Sequence, residues 1–379
     1  MLSPGSVALS ECMSVSDPVV NTVGANLMVQ PFTLADLEYE LPPDGIAQVP
    51  VERRDDSRLL LVDRANETLI DARFADLPDF LRSGDCLVIN DTRVVPARFW
   101  VRRHSGGRLE GLFVREVELG RWEVMLRSAG RLRRGELLTF DPPDAVGIIA
   151  RESLGGGYWL FELSPAQATN EVLERVGRTP LPPYIRRERG HDIADSMDAE
   201  RYQTVYARAA GSVAAPTAGL HLTADVFARL EARGVDVARL TLHVGPGTFA
   251  PIQVDRLEDH RMHAEWFELS EEAAMCIDRA RSAGGRVVAV GTTSTRVLES
   301  RSDDAGRVRA GSDWTDIFIY PPYRFRAVDA LVTNFHLPRS TLLALVMAFG
   351  GVERIRKAYA HAIEAGYRFY SYGDAMLIV

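Results

Sequence analysis

The stretch "RLEGLFVREVELGRWEVMLR", Arg108 to Arg127, reads as strand, tight turn, strand, with the turn at Gly120. Turn signals recur around it at Gly106–Gly107, Gly135, Pro142–Pro143 and Gly155–Gly157. Several short strands at this spacing predict a small antiparallel β-barrel or sandwich between about Asp91 and Ser164. After about Ala166 the texture changes: helical and strand patterns alternate, which predicts α/β layering. Thr223 is placed to cap a helix carrying Val226, Phe227 and Leu230, with Gly234 at its end. "VARLTLHVG" (Val237–Gly245) is a strand, and Ser270 opens a second helix ending at Gly284–Gly285. "RVVAV" (Arg286–Val290), "DIFIY" (Asp316–Tyr320) and "ALVTNF" (Ala330–Phe335) are further strands. Pro338 and Ser340 start the helix "TLLALVMAF", Gly351 and Gly366 bracket another, and "YRFYSYGDAMLIV" closes the chain as strand. Leu59–Val62 is strand-like ahead of the β segment, so the barrel is expected as an insertion, at 91–165, into an α/β domain formed by 31–90 and 166–379.

The 379 residues carry a net charge of −8, with 46% hydrophobic and 25% charged residues, as in an ordinary globular protein. Coating of nucleic acid by bulk charge is excluded; a local basic face is not. Lys357 is the only lysine among 44 basic residues. A Schiff-base or P-loop lysine therefore has almost no candidate, and phosphate contacts fall to arginine forks or backbone N–H groups. Three cysteines (Cys12, Cys86, Cys276) give neither a disulfide framework nor a zinc spacing, which suits a reducing cytoplasm. Residues 1–30 hold Glu11 and Asp17 but no Arg or Lys, unlike a signal peptide; they read as a disordered extension, or Met28 as the real start.

Dinucleotide, P-loop, hydrolase-elbow and zincin motifs are absent from the sequence. "GTTSTR" (Gly291–Arg296), between a buried-type strand and a helix, suits anionic or ribose groups, or is a plain cap by Thr293 or Ser294. "LHVGPGTF" (Leu242–Phe249) ends a strand in a Gly-Pro-Gly turn after His243; it is either a tight connection or a close backbone approach to ligand. His260, His263 and Glu265 in "HRMHAEWFEL" lack an evident fourth ligand, so no metal site is expected. Asp91 and Arg93 either pair with each other or grip substrate at the domain junction. Arginines cluster at Arg53–Arg54, Arg102–Arg103, Arg131 with Arg133–Arg134, Arg186–Arg187 with Arg189, and Arg324 with Arg326. Tyr184, Tyr323 and Phe325 lie among the last two clusters, a mixture suited to a splayed RNA loop.

"IAQVPVERRDDSRLLLVDR", "INDTRVVPAR", "RYQTVYA" with "GSVAAPTAGLHLT", "LTLHVGPGTF", "HRMHAEWFEL", "VGTTSTRVLES", "TNFHLPRSTLLALV" and "YRFYSYGDAMLI" follow one another from about residue 31 to the C-terminus. Together they resemble the S-adenosylmethionine:tRNA ribosyltransferase-isomerase family. Leu222, Pro246 and Pro322 depart from its usual wording, where phenylalanine, alanine and the glycine of "YPGY" are common.

The resemblance implies an α/β domain with an inserted β-barrel, and a step of queuosine synthesis in the cytoplasm. The ribosyl part of S-adenosylmethionine is moved onto the 7-aminomethyl-7-deazaguanine (preQ1) base at the wobble position of a tRNA with a GUN anticodon. Epoxyqueuosine-tRNA, adenine and methionine result. S-adenosylmethionine is then a substrate, and no cofactor or metal is expected; a monomer is expected. Proton transfer needs well-placed histidines, so His221, His243 and His336 are the candidate catalytic residues. Asp91, Arg93, Thr217, Gly245, Thr292, Thr293, Ser294 and Asn334 are the candidate substrate contacts. The alternatives are an S-adenosylmethionine-dependent tRNA methyltransferase and a non-enzymatic RNA-binding module.

Overall fold

The computed structural model describes residues 32–127, 132–187, 192–249 and 252–379. The extension 1–30, Arg131 and Arg189 lie outside the described residues. β1 (Arg58–Asp63) and β2 (Thr68–Arg73) form an antiparallel hairpin, and β3 (Cys86–Asn90) follows. β4 (Thr92–Val94) leaves the sheet for six strands: β5 (Arg98–Arg103), β6 (Arg108–Glu118), β7 (Arg121–Arg127), β8 (Leu137–Phe140), β9 (Gly147–Gly155) and β10 (Tyr158–Ser164). These six close into an antiparallel barrel in the order β10-β7-β6-β5-β8-β9. Helices α1 (Thr169–Val176) and α2 (Asp192–Arg201) come next, and β11 (Ala209–Ser212) pairs in parallel with β4. The remaining elements are α3 (Ala224–Ala232), β12 (Asp236–Leu242), β13 (Glu265–Leu269), α4 (Glu271–Ser282), β14 (Val287–Val290), α5 (Gly291–Arg301), β15 (Gly311–Thr315), β16 (Ala330–Asn334), α6 (Thr341–Gly350), α7 (Val352–Glu364) and β17 (Ala375–Ile378).

With β1–β3 they build a nine-stranded sheet, β15-β13-β12-β3-β14-β16-β17-β1-β2. Its centre, β12, β3, β14 and β16, is parallel. The chain is thus an α/β fold with an antiparallel β-barrel inserted between two stretches that share one sheet.

Every residue of β3, β14 and β16 is buried. Strands covered on both faces read as continuous apolar runs rather than alternations. One face packs Leu87, Ile89, Val288 and Val332 against Val226 and Leu230 of α3. On the other, Cys86 meets Cys276 of α4, two buried free thiols with sulfurs 3.9 Å apart. The polar exceptions, Asn90, Thr333 and Asn334, all sit at carboxyl ends.

Barrel strands alternate instead, because one side faces water. Trp122, Val124 and Leu126 of β7 point inward. Trp122 meets Phe99 and Phe113 edge-on at 5.9 and 5.2 Å. Its indole N–H donates to Thr169 Oγ1 (2.7 Å), which donates to Glu116 (2.5 Å). Val172, Leu173 and Val176 of α1 complete that core, so α1 plugs the barrel.

Two strand expectations shift. Asp316–Tyr320 is irregular, and the strand is Gly311–Thr315 just before it. Its partner β13 begins at Glu265, opposite Thr315, so nothing remains for later residues to pair with. In "YRFYSYGDAMLIV" only Ala375–Ile378 is strand, because the chain turns at Tyr370–Gly373 first.

Candidate active site

The four parallel strands end on one side of the sheet, where ligands sit in open α/β folds. Each delivers polar groups there. Asn90, fully buried, ends β3. Its Nδ2 donates to the Leu242 carbonyl (3.0 Å) and to Thr293 Oγ1 (3.3 Å). Its Oδ1 accepts from the N–H groups of Thr92 (3.1 Å) and Leu242 (3.0 Å). One amide side chain therefore ties together the exit of β12, the path to the barrel and the start of α5.

β14 runs straight into α5 at Gly291, whose φ of 87° is left-handed. A residue with a Cβ there costs about 1–2 kcal/mol. The free N–H groups of the first turn face a cavity lined by Gly291, Thr292 and Thr293. The expected cap by Thr293 or Ser294 is absent. The residue before the helix is Val290, and the Ser294 hydroxyl turns back onto the Val290 carbonyl (2.8 Å). Ser294 is fully buried and does not reach the cavity.

This inner cavity is ≈50 Å³ and is also lined by Thr217, Asn334, His336, Tyr184 and Tyr370. Asn334 is pinned from three sides. Thr217 Oγ1 donates to its Oδ1 (2.9 Å), and its Nδ2 lies 3.4 Å from the Asp374 carbonyl and 3.2 Å from His221 Nε2. A carbonyl only accepts, so the amide nitrogen faces Asp374 and His221. His221 Nε2 is then the acceptor, and its protonated Nδ1 donates to Ser57 Oγ (3.0 Å), which donates to the Arg54 carbonyl (3.3 Å). Burial pushes the His221 imidazole down to about 4 against an upward pull from Asp374, so it is neutral. His336 is likewise pushed down by burial, to about 3; its Nε2 meets Thr333 Oγ1 at 2.8 Å. Tyr370 holds a left-handed φ of 75°, a conformation that clusters at functional sites. It sets its ring edge-on to Tyr184 at 3.9 Å.

Beyond Val244 lies an outer cleft of ≈470 Å³, walled by His243, Gly245–Gly247, Trp266 and Trp314 on the sheet side and by Arg115, Glu123 and Tyr158 of the barrel. Between the two spaces runs the Gly245–Thr248 turn. Buried Glu265 holds it, accepting from Gly245 N–H (2.9 Å) and Thr248 Oγ1 (2.8 Å). Its other oxygen pairs with buried Arg296 of α5. Glu265 is thus committed to an arginine and a turn, not to a cluster with His260 and His263. Among the described residues no group of three His, Cys, Asp or Glu side chains is placed to hold a metal.

Residues 34–378 match the family described as queuosine biosynthesis protein. The chain belongs to this family. It is 50% identical over 347 residues to an S-adenosylmethionine:tRNA ribosyltransferase-isomerase of Symbiobacterium thermophilum, covering 91% of this chain and 99% of that one. The enzyme of the same name from Pelobacter propionicus is 51% identical over 345 residues, 90% and 98% of the two chains. The crystal structure of S-adenosylmethionine tRNA ribosyltransferase from Thermotoga maritima superposes with a TM-score of 0.51 at 33% identity, covering 91% and 100%.

In this member of the queuosine family, the sequence candidates divide by place. Thr217, Thr292, Thr293, Asn334 and His336 meet at the inner cavity, and His243 and Gly245 line the outer cleft. His221, Ser294, Asp91 and Arg93 line neither. Asp91 is buried and accepts from Thr241 Oγ1 (2.7 Å), while Arg93 is exposed and makes no ion pair with it. Several of the arginine clusters are structural: Arg54 donates to three carbonyls, Arg103 pairs with Glu136, and Arg187 with Asp198. Sequence reading missed Asn90, Arg296, Tyr184 as a cavity wall and Tyr370. The available signal was a polar residue closing an otherwise apolar strand, as Asn90 does in "CLVIN".

Proposed function

We propose that the chain transfers and isomerises the ribosyl moiety of S-adenosylmethionine onto preQ1 at the wobble position of a GUN-anticodon tRNA, releasing adenine and methionine and leaving epoxyqueuosine. Ribosyl transfer with isomerisation in queuosine biosynthesis is the activity that membership of the family and relatives near 50% identity support; the methyltransferase alternative finds no support among them. The geometric observation that carries the reading is the inner cavity. Its polar lining is hydroxyls, an amide, a neutral imidazole and the N–H groups of α5, at the carboxyl ends of parallel strands. Such groups hold ribose hydroxyls and a nucleobase edge by hydrogen bonds, with no formally charged side chain among them.

His336 and His243 are the candidates for proton transfer, at the cavity and the cleft respectively. His221 positions Asn334 and does not touch substrate. S-adenosylmethionine is consumed, and no further cofactor or metal is needed. The enzyme works as a monomer in the cytoplasm, with the barrel module spanning 91–165. No helix among the described residues is long and apolar enough to cross a membrane. Incubation with S-adenosylmethionine and preQ1-containing tRNA, followed by chromatography, should yield free adenine and methionine. S-adenosylhomocysteine, or no product, would refute the assignment.

A further inference from the structure

Trp314 stands 56% exposed on β15, the edge strand of the sheet. An exposed indole on an unpaired edge is an aggregation hazard that proteins usually avoid. It is not isolated. Trp314 pairs directly opposite Trp266 of β13, and the His243 N–H bonds to the Trp266 carbonyl, so the next ring in the row is His243. Directly opposed residues share a sheet face. His243 stacks on Trp266 at 5.1 Å and 24°, and its Nδ1 is held 2.8 Å from Thr92 Oγ1. Trp314, Trp266 and His243 thus follow one another across the sheet edge, His243 just past the end of β12 and in ring contact with Trp266. Gly211 makes room for it, since a Cβ there would lie 2.7 Å from His243 Nε2.

The row faces the ≈470 Å³ cleft, whose barrel wall offers Tyr158 and the paired Arg115 and Glu123 (2.7 Å). Gly211 belongs to the β4–β11 ribbon. Aromatic rings that reach solvent are how proteins stack splayed bases. Val244 lines both the cleft and the inner cavity.

We infer that the outer cleft binds one unstacked nucleobase of the RNA loop, next to the nucleotide that enters the inner cavity, by stacking on the Trp314–Trp266 platform. The inference rests on the proposed function, because it takes the second strand contact from the same RNA. Trp314 is more than half exposed at the sheet edge, so a base stacked there can belong to a strand that continues into solvent, which the adenine of S-adenosylmethionine does not.

The test uses the full chain and a synthetic RNA hairpin presenting an anticodon loop, with binding read by fluorescence anisotropy. Trp314→Ala should weaken hairpin binding about tenfold, and Trp314→Phe should restore most of it. The KM for S-adenosylmethionine should stay unchanged in both. Unaltered hairpin affinity in Trp314→Ala would overturn the inference. So would a raised KM for S-adenosylmethionine with hairpin binding intact, which would place adenine in the cleft. Failure of the wild-type protein to bind the hairpin would instead strike the proposed function.

Discussion

The inner cavity and the outer cleft share Val244 but are made of opposite materials. Around the cavity, polar groups are buried and anchored: Asn334 to the Asp374 carbonyl, and Thr293 through Asn90 to the Leu242 carbonyl. Each group has one place to be, so the cavity holds geometry. In the cleft the rings are held by sheet register and one of them reaches solvent. Such a surface supplies contact area and tolerates variation in what it touches. On the function and inference proposed above, the contrast is a division of labour: the rigid cavity aligns the reacting groups, and the cleft adds grip on a large substrate. Glu265 serves both sides, since one oxygen holds the turn between them and the other anchors to α5.

Cutting that shared anchor should have the largest effect. Arg296→Met leaves the Glu265 carboxylate buried without its cation and should destabilise the fold by about 3–5 kcal/mol. Urea unfolding measures it, and a loss under about 1 kcal/mol would show that the two spaces are held independently. Next comes the cavity alone. Asn334→Ala removes an aligned amide and should lower adenine release roughly 10²-fold with hairpin binding unchanged. His221→Ala acts through Asn334 and should cost about a tenth of that factor, roughly tenfold. His221→Gln should recover part of it, because its side-chain oxygen can accept where Nε2 did. Equal losses in the alanine and glutamine variants would argue against a positioning role.

Much of the architecture was legible because its signals are local. Thr223, Ser270 and Ser340 cap their helices as the sequence pattern predicts, each hydroxyl accepting from an N–H three residues on. The glycine turns of the barrel fall between strands, and the apolar run Val287–Val290 is a central strand. What was not legible depends on partners distant in sequence. Asp316–Tyr320 has the composition of a strand, yet β13 supplies no residue to pair with it. The sequence cannot show that His221 lies behind Asn334 rather than in the cavity, because 113 residues separate them and only the fold sets the angle. Likewise "TLHVG" gives no hint that His243 continues a row begun by two tryptophans on β13 and β15.

Smaller effects test how rigid the inner side is. Gly291→Ala forces a left-handed alanine at the first residue of α5 and should cost about 1–2 kcal/mol in unfolding experiments. The KM for S-adenosylmethionine should rise as the N–H groups of that turn move, while hairpin affinity holds. If both affinities fell together, cavity and cleft would be one mechanical unit.

The gentlest probe is acid. The His221 and His336 imidazoles titrate near 4 and 3 in the folded chain because burial disfavours their charge, against about 6.5 when unfolded. Their folded values are depressed, so as pH falls below about 6.5 the unfolded chain takes up protons that the native state refuses. Stability is then full above that pH and declines toward the folded values. Between pH 7 and 6 each imidazole should contribute a loss of roughly 0.5–1 kcal/mol, before the carboxylates titrate. His221→Gln should remove its own share of the loss in that window, leaving the shares of His336 and of His243 and His260, which burial also pushes down. A variant as acid-sensitive as the wild type would mean that His221 is solvated, and Asn334 would then lack the neutral acceptor that fixes its amide.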